Sequence, residues 1–381
     1  MLNMFRQSKS LRLLLVATFA YSLQLVAADG PAPDKNLLGL PPLPIPANNP
    51  ITKEKVILGE RLYNDVRFSS TGKVSCATCH DSKKGFTDNL RVSKGINNLS
   101  GTRNAPTVLN SAFNTSQFWD GRSPSLEDQA QHPMTNPVEM GLPNHEPVMK
   151  IVREEKKYQD QFKSAFGIEA KDIQLNHVLM AIATFERTQI DGNSKFDRWY
   201  YGGEEKILSA QEKNGFAVFI GNGRCVSCHA VESTSALFTD NKFHNIGVGI
   251  NKLSKSDQEA IGQEFLKSDY SNEAVDVKVL TNPKTSEVGR LAVSKKLYDM
   301  GNFKTPTLRN ISLTAPYMHD GSLKTLDEVV EHYNRGGASS DKEVVNDFIS
   351  GGIRPLNLTS TEKRDLVAFL KTLTSARNAK K

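Results

Sequence analysis

Two short stretches, "CATCH" (76–80) and "CVSCH" (225–229), decide how this 381-residue chain is to be read. Together they hold all four of its cysteines. A histidine directly follows each pair, and C-x-x-C-H is the attachment pattern of c-type haem. In that chemistry the two sulfurs become thioethers to the porphyrin, and the histidine is held where it can bind the iron from the proximal side. Two other uses of paired cysteines compete with this one. A pair of disulfides leaves both histidines unexplained. A zinc bound by four cysteines uses pairs ~15–20 residues apart, whereas 145 residues separate Cys79 from Cys225. The pattern therefore predicts two covalently bound haems, with His80 and His229 as proximal ligands.

The rest of the chain fits an exported protein of about two domains. Residues 1–28 read as a secretory signal: Arg6, Lys9 and Arg12 form the basic start, and Val26-Ala27-Ala28 offers a small-residue cleavage site before Asp29. The apolar run between them, 13–26, has 14 residues and includes Ser22 and Gln24. It falls short of the ~20 needed to span a bilayer. No later stretch is apolar enough to span, so a soluble, periplasmic mature protein is expected. Loss of the three basic residues lowers the formal charge from +6 to +3, too balanced to suggest a nucleic-acid partner. The signal is followed by a leader (29–50) that contains "GLPPLPIPANNP", which can form neither a helix nor a central strand. It is expected to be an extended arm, laid over a surface or free.

Each haem motif is followed by a related segment. "PTVLNSAFNTSQFWDGRSPSLEDQAQHP" starts at Pro106 and "PTLRNISLTAPYMHDGSLKTLDEVVEHY" starts at Pro306. Without a gap, Pro106, Thr107, Asn110, Asp120, Gly121 and Leu126 match Pro306, Thr307, Asn310, Asp320, Gly321 and Leu326. A shared 28-residue register after both motifs implies two related haem domains, assigned to 51–194 and 195–381.

Both segments end in a helix start, with capping-box spacing at Ser125/Asp128 and at Thr325/Glu328. At about 100° per residue, Leu326, Val329, Val330 and Tyr333 share one apolar face, and His332 points about 100° away from Tyr333. Tyr333 is thus expected to face inward, as a core residue or as a ligand on the open side of the second haem. His332 is expected to face solvent. In the first copy the position of Tyr333 is taken by Pro133, which cannot bind iron, with Gln129 on the same face and His132 off it. The first iron is then open unless Lys94, Met134 or His145 reaches it.

At this point the chain resembles the bacterial di-haem cytochrome c peroxidase and MauG superfamily. The resemblance runs from about residue 50 to residue 375 and rests on "SCATCH", "RNAPTVLN", "FWDGR", "NPVEM", "CVSCH", "FKTPTLRN" and "TAPYMHDGS" in that order. It implies a mostly α fold of two cytochrome c-like domains with haems facing their interface, and a calcium ion between them at positions matching Asn104, Thr314 and Pro316. It gives Glu139 of "NPVEM" a proton-transfer role on the open face of the first haem, with Gln129 as a hydrogen-bonding neighbour. It makes Trp119 the indole bridging the haems. Trp199 has no such counterpart and reads as structural, His244 reads as packed or hydrogen-bonded, and Arg309 and Arg290 are candidates for haem propionates.

Two departures separate this chain from typical peroxidases of the family. Those have a histidine soon after the first motif that leaves the iron on activation, whereas "LRVSKGINN" has none. They also bind the second iron with methionine, where this chain has Tyr333. Methionine raises a haem's reduction potential, which suits an iron that accepts electrons from another cytochrome. An anionic tyrosine oxygen stabilises ferric and higher states instead. The resemblance is therefore nearest to MauG. It implies that hydrogen peroxide forms a high-valent haem state that oxidises residues of a partner protein, such as tryptophans matured into the quinone cofactor of methylamine dehydrogenase. The alternative is a peroxidase reducing hydrogen peroxide with electrons from a small cytochrome or cupredoxin. A third reading, a plain electron carrier, has no need of an open iron.

Overall fold

The computed structural model describes residues 37–338, 345–375 and 378; the signal (1–28) and the start of the leader (29–36) lie outside the described residues. The helices that matter below are α1 (Lys53–Tyr63), α2 (Leu126–Thr135), α3 (Leu175–Arg187), α4 (Ala210–Ile220), α5 (Asn272–Thr281), α6 (Leu326–Asn334) and α7 (Ser360–Lys371). Among the described residues there is one sheet, in which β1 (Phe243–His244) runs antiparallel to β2 (Phe303–Lys304) with Phe243 opposite Lys304. The mostly α expectation holds. No helix among the described residues is long and apolar enough to cross a membrane.

Apart from α3, each of these helices starts where a serine or threonine side chain takes up an orphan backbone N–H. Ser125 and Thr325 accept from Asp128 and Glu328, as their spacing predicts. The return bond of a full capping box is missing in α6, where the Glu328 carboxylate accepts from the Lys324 backbone instead. Ser209 with Glu212 at α4, and Thr359 with Glu362 at α7, make the complete box.

The two halves are built on the same crossing of a leading and a closing helix. Helix α1 meets α3 at Gly59, where an added Cβ would lie 1.9 Å from the Ala181 carbonyl oxygen. Helix α4 meets α7 at Gly215, where it would lie 1.9 Å from the Asp365 carbonyl oxygen. Only a residue without a side chain lets the backbones come this close. Phe185 and Phe369 pack beside the two glycines, and Phe369 is fully buried, worth roughly 1.5–3 kcal/mol for such a side chain.

The 200-residue repeat is visible down to single bonds. The Thr107 hydroxyl donates to the Gly85 carbonyl (2.6 Å) and the Thr307 hydroxyl to the Leu237 carbonyl (2.7 Å). Asn110 and Asn310 both take a left-handed backbone, at φ 62° and 61°. Their side chains converge on Asp191: Asn110 donates to its carbonyl and Asn310 to its carboxylate, each at 2.9 Å. Residues 37–50 of the leader lie over both halves. Asn193 and Ala236 donate to the carbonyls of Leu38 and Gly39, and Lys55 donates to the Asn49 side chain at 3.2 Å.

The sequence reading did not anticipate a third apolar cluster. Ile250, Ile261, Phe265, Val279, Leu291 and Met300 form a small core of their own in the segment between the second haem motif and the repeat. Val138, from the first half, packs against it.

Candidate haem sites

Cys225, Cys228, His229 and Tyr333 line one cavity of about 520 Å³. Among the described residues none of the four cysteines is in a disulfide, as attachment to porphyrin requires. The ring Nδ1 of His229 is 2.8 Å from the Phe238 carbonyl oxygen. The ring Nδ1 of His80 is 3.3 Å from the Phe86 carbonyl oxygen. Donation from Nδ1 to a carbonyl fixes the tautomer that leaves Nε2 bare for a metal. Burial lowers the proton affinity of both imidazoles, which also favours the neutral, ligating form. Phe86 and Phe238 offer these carbonyls from left-handed backbone, at φ 58° and 52°. The two motifs thus share their support as well as their residues.

Helix α6 presents Leu326, Val329, Val330 and Tyr333 to the cavity, the face expected from their periodicity. Among the described residues no hydrogen bond holds the Tyr333 hydroxyl, and burial pushes its phenol up, with the Cys225 and Cys228 sulfurs adding to the effect. An anionic oxygen here would need a cation in front of it, which a ferric iron would supply.

His332 corrects the reading. It points away from the cavity, as the helical wheel requires, yet it is 2% exposed and its Nε2 is 2.8 Å from the Ile246 carbonyl oxygen. The wheel gives the angle between two side chains but not what lies beyond each. The chain leading into the third core covers that side of α6.

In the first half, Cys76 packs against the N-terminal core, and the Tyr63 hydroxyl donates to the His80 carbonyl at 3.0 Å. Pro133 lies within α2 and Gln129 is half-buried on the same helix. Of the other donors considered for this iron, two are otherwise engaged and one is exposed. Met134 is fully buried in the N-terminal core, the His145 ring nitrogen is 3.0 Å from the Gln131 carbonyl oxygen, and Lys94 is exposed.

Glu139 stands in the loop after α2. Its carboxylate interacts with the Cys79 thiol, which burial first and Glu139 second push up to about 12. Its Oε2 is buried without a hydrogen-bond partner among the described residues. Burial, and behind it Asp276, holds the Glu139 carboxyl well above the usual carboxylate range, against an opposing pull from Arg122. Such a group keeps its proton near neutrality and can hand it over. No hydrogen bond joins Gln129 to Glu139 among the described residues. The loop is seated by Gly95, where a Cβ would lie 2.3 Å from the Glu139 carbonyl oxygen.

Trp119 and His319, aligned in the repeat, meet between the halves with ring centroids 6.4 Å apart, edge to face. The Trp119 indole donates to the Asn104 carbonyl at 2.9 Å. His319 stacks on Phe303 at 3.6 Å, and its Nε2 is 2.7 Å from a Glu287 carboxylate oxygen. Asn104, Thr314 and Pro316 line the same cavity. The Asn104 amide nitrogen donates to Leu90 at 2.9 Å. Among the described residues nothing donates to its side-chain oxygen or to the carbonyls of Thr314 and Pro316. The carbonyls of Leu313 and Ala315 are instead taken by Asn89, each at 3.0 Å. Three oxygens left without donors suit a hard cation such as calcium.

Two arginines do not fit their expected role. Arg309 is fully buried, with Asp197 holding it at 2.8 and 2.9 Å and Ala236 accepting at 2.7 Å. Its charge is spent inside the fold, and no propionate is needed to balance it. Arg290 donates to the carbonyls of Asp120 and Gly121 at 3.0 and 2.9 Å. His244 behaves as expected: its Nε2 is 2.8 Å from Asp240. Those two residues and Cys228 bring ligand atoms within 4.8 Å of one another, but the Cys228 sulfur belongs to the haem motif. Trp199 packs against Phe196 and Phe216.

The chain also resembles known proteins. Residues 53–206 match the family described as di-haem cytochrome c peroxidase. Methylamine utilization protein MauG of Methylorubrum extorquens is 37% identical over 87% of this chain and 81% of its own length. Cytochrome c551 peroxidase of Nitrosomonas europaea is 35% identical over 87% of this chain and 83% of its own. A solved structure described as a MauG-like protein associated with microbial copper homeostasis is 32% identical, covers 89% of this chain and 94% of its own, and has a TM-score of 0.72. Two haem motifs with matching supports, on two halves with one helix crossing, are what these relatives lead one to expect, and the chain belongs to the di-haem cytochrome c peroxidase and MauG family, whose members carry two c-type haems and act as oxidoreductases with peroxide.

Proposed function

We propose that this chain is a MauG-like periplasmic enzyme, made with a cleaved signal (1–28), that uses hydrogen peroxide to oxidise residues of a partner protein. When bound, the haems supply the iron at which peroxide is reduced and the oxidising equivalents that result. His80 would hold the first, where Pro133 offers no ligand. His229 and Tyr333 would hold the second. Glu139 moves a proton between the two peroxide oxygens, Gln129 stands beside it, and Trp119 bridges the halves, divided between 194 and 195. Asn104, Thr314 and Pro316 hold a calcium ion near that bridge.

Tyr333 carries the reading: a half-buried phenol, with no hydrogen-bond partner among the described residues, lines the second haem cavity where a peroxidase has methionine. The partner we infer is a protein whose tryptophans are matured into a quinone cofactor, as in methylamine dehydrogenase. That a MauG-like relative is associated with copper homeostasis widens the class of partners beyond amine oxidation. The second reading is a peroxidase fed by a small cytochrome or cupredoxin. It is favoured by relatives named cytochrome c peroxidase at 34% and 35% identity, and by the absence of a tryptophan in "FIGNGR" before the second motif.

Electron paramagnetic resonance of the ferric holoprotein tests the assignment. One high-spin and one low-spin haem are expected; two low-spin haems would mean that a further donor closes the first iron. Steady turnover with a reduced cytochrome, set against peroxide-driven oxidation of a candidate partner, separates the two readings.

A further inference from the structure

Asp276, on helix α5 of the third core, reaches across to the loop that carries Glu139. It is 2% exposed and divides its two oxygens. One accepts from the Arg122 guanidinium, the other from the Asn136 side-chain amide. Asn136 is the residue that shapes the loop. Its side-chain oxygen accepts from the Val138 backbone at 3.1 Å, and its carbonyl accepts from Glu139 at 3.1 Å and from Gly141 at 2.9 Å. Because Asp276 fixes the amide end of Asn136, it also fixes which way the oxygen end faces. Among the described residues no hydrogen bond holds the Glu139 carboxyl, and its Oε2 is buried without a partner. The backbone of this turn therefore sets where the carboxyl sits.

The cluster is costly to keep for stability alone. Asp120, Arg122 and Asp276 are all nearly inaccessible, and a buried ionic triad is often replaceable by apolar side chains at no loss of stability. What apolar residues cannot do is grip Asn136 and hold a charge near Glu139. The rest of the third core is docked at the same place. Val138 packs on it, Asn272 donates to the Arg122 carbonyl at 3.2 Å, and Arg103 donates to the Ser286 hydroxyl at 2.9 Å.

We propose that Asp276 is a positioning residue for the peroxide reaction, acting through Asn136 on Glu139, so that a segment of the C-terminal half completes the first haem site. The proposal rests on the proton-transfer role given to Glu139. The charged and titratable groups facing Glu139 are Asp276 on α5, Arg122 with Asp120 behind it before α2, and Cys76 and Cys79 of the first motif. Asp276 raises the proton affinity of Glu139 and Arg122 lowers it. Removing the Asp276 charge therefore moves the Glu139 titration to lower pH.

The test compares Asp276→Asn, Glu139→Gln and the double variant as di-haem holoproteins. Asp276→Asn is expected to slow the reaction with peroxide by about 10–100-fold, the usual effect of removing a group that orients a functional residue. Its rate–pH profile should move to lower pH. The double variant should be no slower than Glu139→Gln, since both act at one point. Independently of activity, hydrogen exchange should quicken in the peptide spanning 136–141 and stay unchanged around 225–229. An unchanged rate and profile in Asp276→Asn, or losses that simply multiply in the double variant, would overturn the proposal. If Glu139→Gln itself reacts at the native rate, the role of Glu139 falls first and the positioning claim with it. Should Asp276→Asn not fold, Asn136→Ala keeps the Arg122–Asp276 pair and breaks only the grip on the loop. A native rate in that variant also overturns the proposal.

Discussion

Tyr333 and His332 are neighbours in sequence with opposite fates, and side-chain direction decides both. Periodicity alone was enough to turn Tyr333 inward. It could not reveal that His332 is covered, because the Ile246 carbonyl that it meets lies 86 residues away. Glu139 is a similar case. Its motif marked it, but its environment is set by burial and then by Asp276, which no local pattern connects to it. Two residue-level outcomes follow. Glu139→Gln should slow the reaction with peroxide by roughly 10²–10⁴-fold with little change in the resting haem spectrum, measured by stopped flow; a native rate removes it from the chemistry. Glu186, on α3, is also buried, and burial pushes its carboxyl up to about 8, with Arg187 opposing and Glu127 adding to the shift. A folded-state value raised above the unfolded one adds stability below about pH 4, lost as the pH rises through about 8. Glu186→Gln should therefore raise the stability at pH 9 and not at pH 5, by on the order of a few kcal/mol at most, read as a higher melting temperature at pH 9 alone. Equal shifts at both pH values would contradict the buried, protonated state.

At the scale of elements, the repeat was legible because it preserves the spacing between a threonine, an asparagine, an Asp-Gly turn and a helix start. Those residue types are fixed by backbone needs: a cap, a left-handed position and a turn. The helix crossing was not legible, since Gly59 and Gly215 look like ordinary helix-weakening glycines until the partner helix is present. Gly215→Ala should push α4 off the Asp365 carbonyl and cost about 1–3 kcal/mol or more by overpacking, read as a lower denaturation midpoint. No loss would mean that the helices are not in this contact. The third core was also hidden. On α5, Val275, Val279 and Leu280 are buried, but Asp276 is buried among them, so a carboxylate interrupts the apolar stripe by which a core helix is recognised.

For the whole molecule, the account is that two copies of one haem-binding unit have been made unequal by one position on equivalent helices, Pro133 in the first and Tyr333 in the second. The duplication explains the shared supports of His80 and His229. On the proposed assignment, the inequality leaves one iron to meet peroxide while the other is closed. The most direct test is a redox titration of the holoprotein beside Tyr333→Met. If Tyr333 is the second ligand, the substitution gives a His/Met site, whose potential should rise well above the native value, while the first haem stays as it was. A second-haem potential that does not move when Tyr333 becomes methionine would contradict the account.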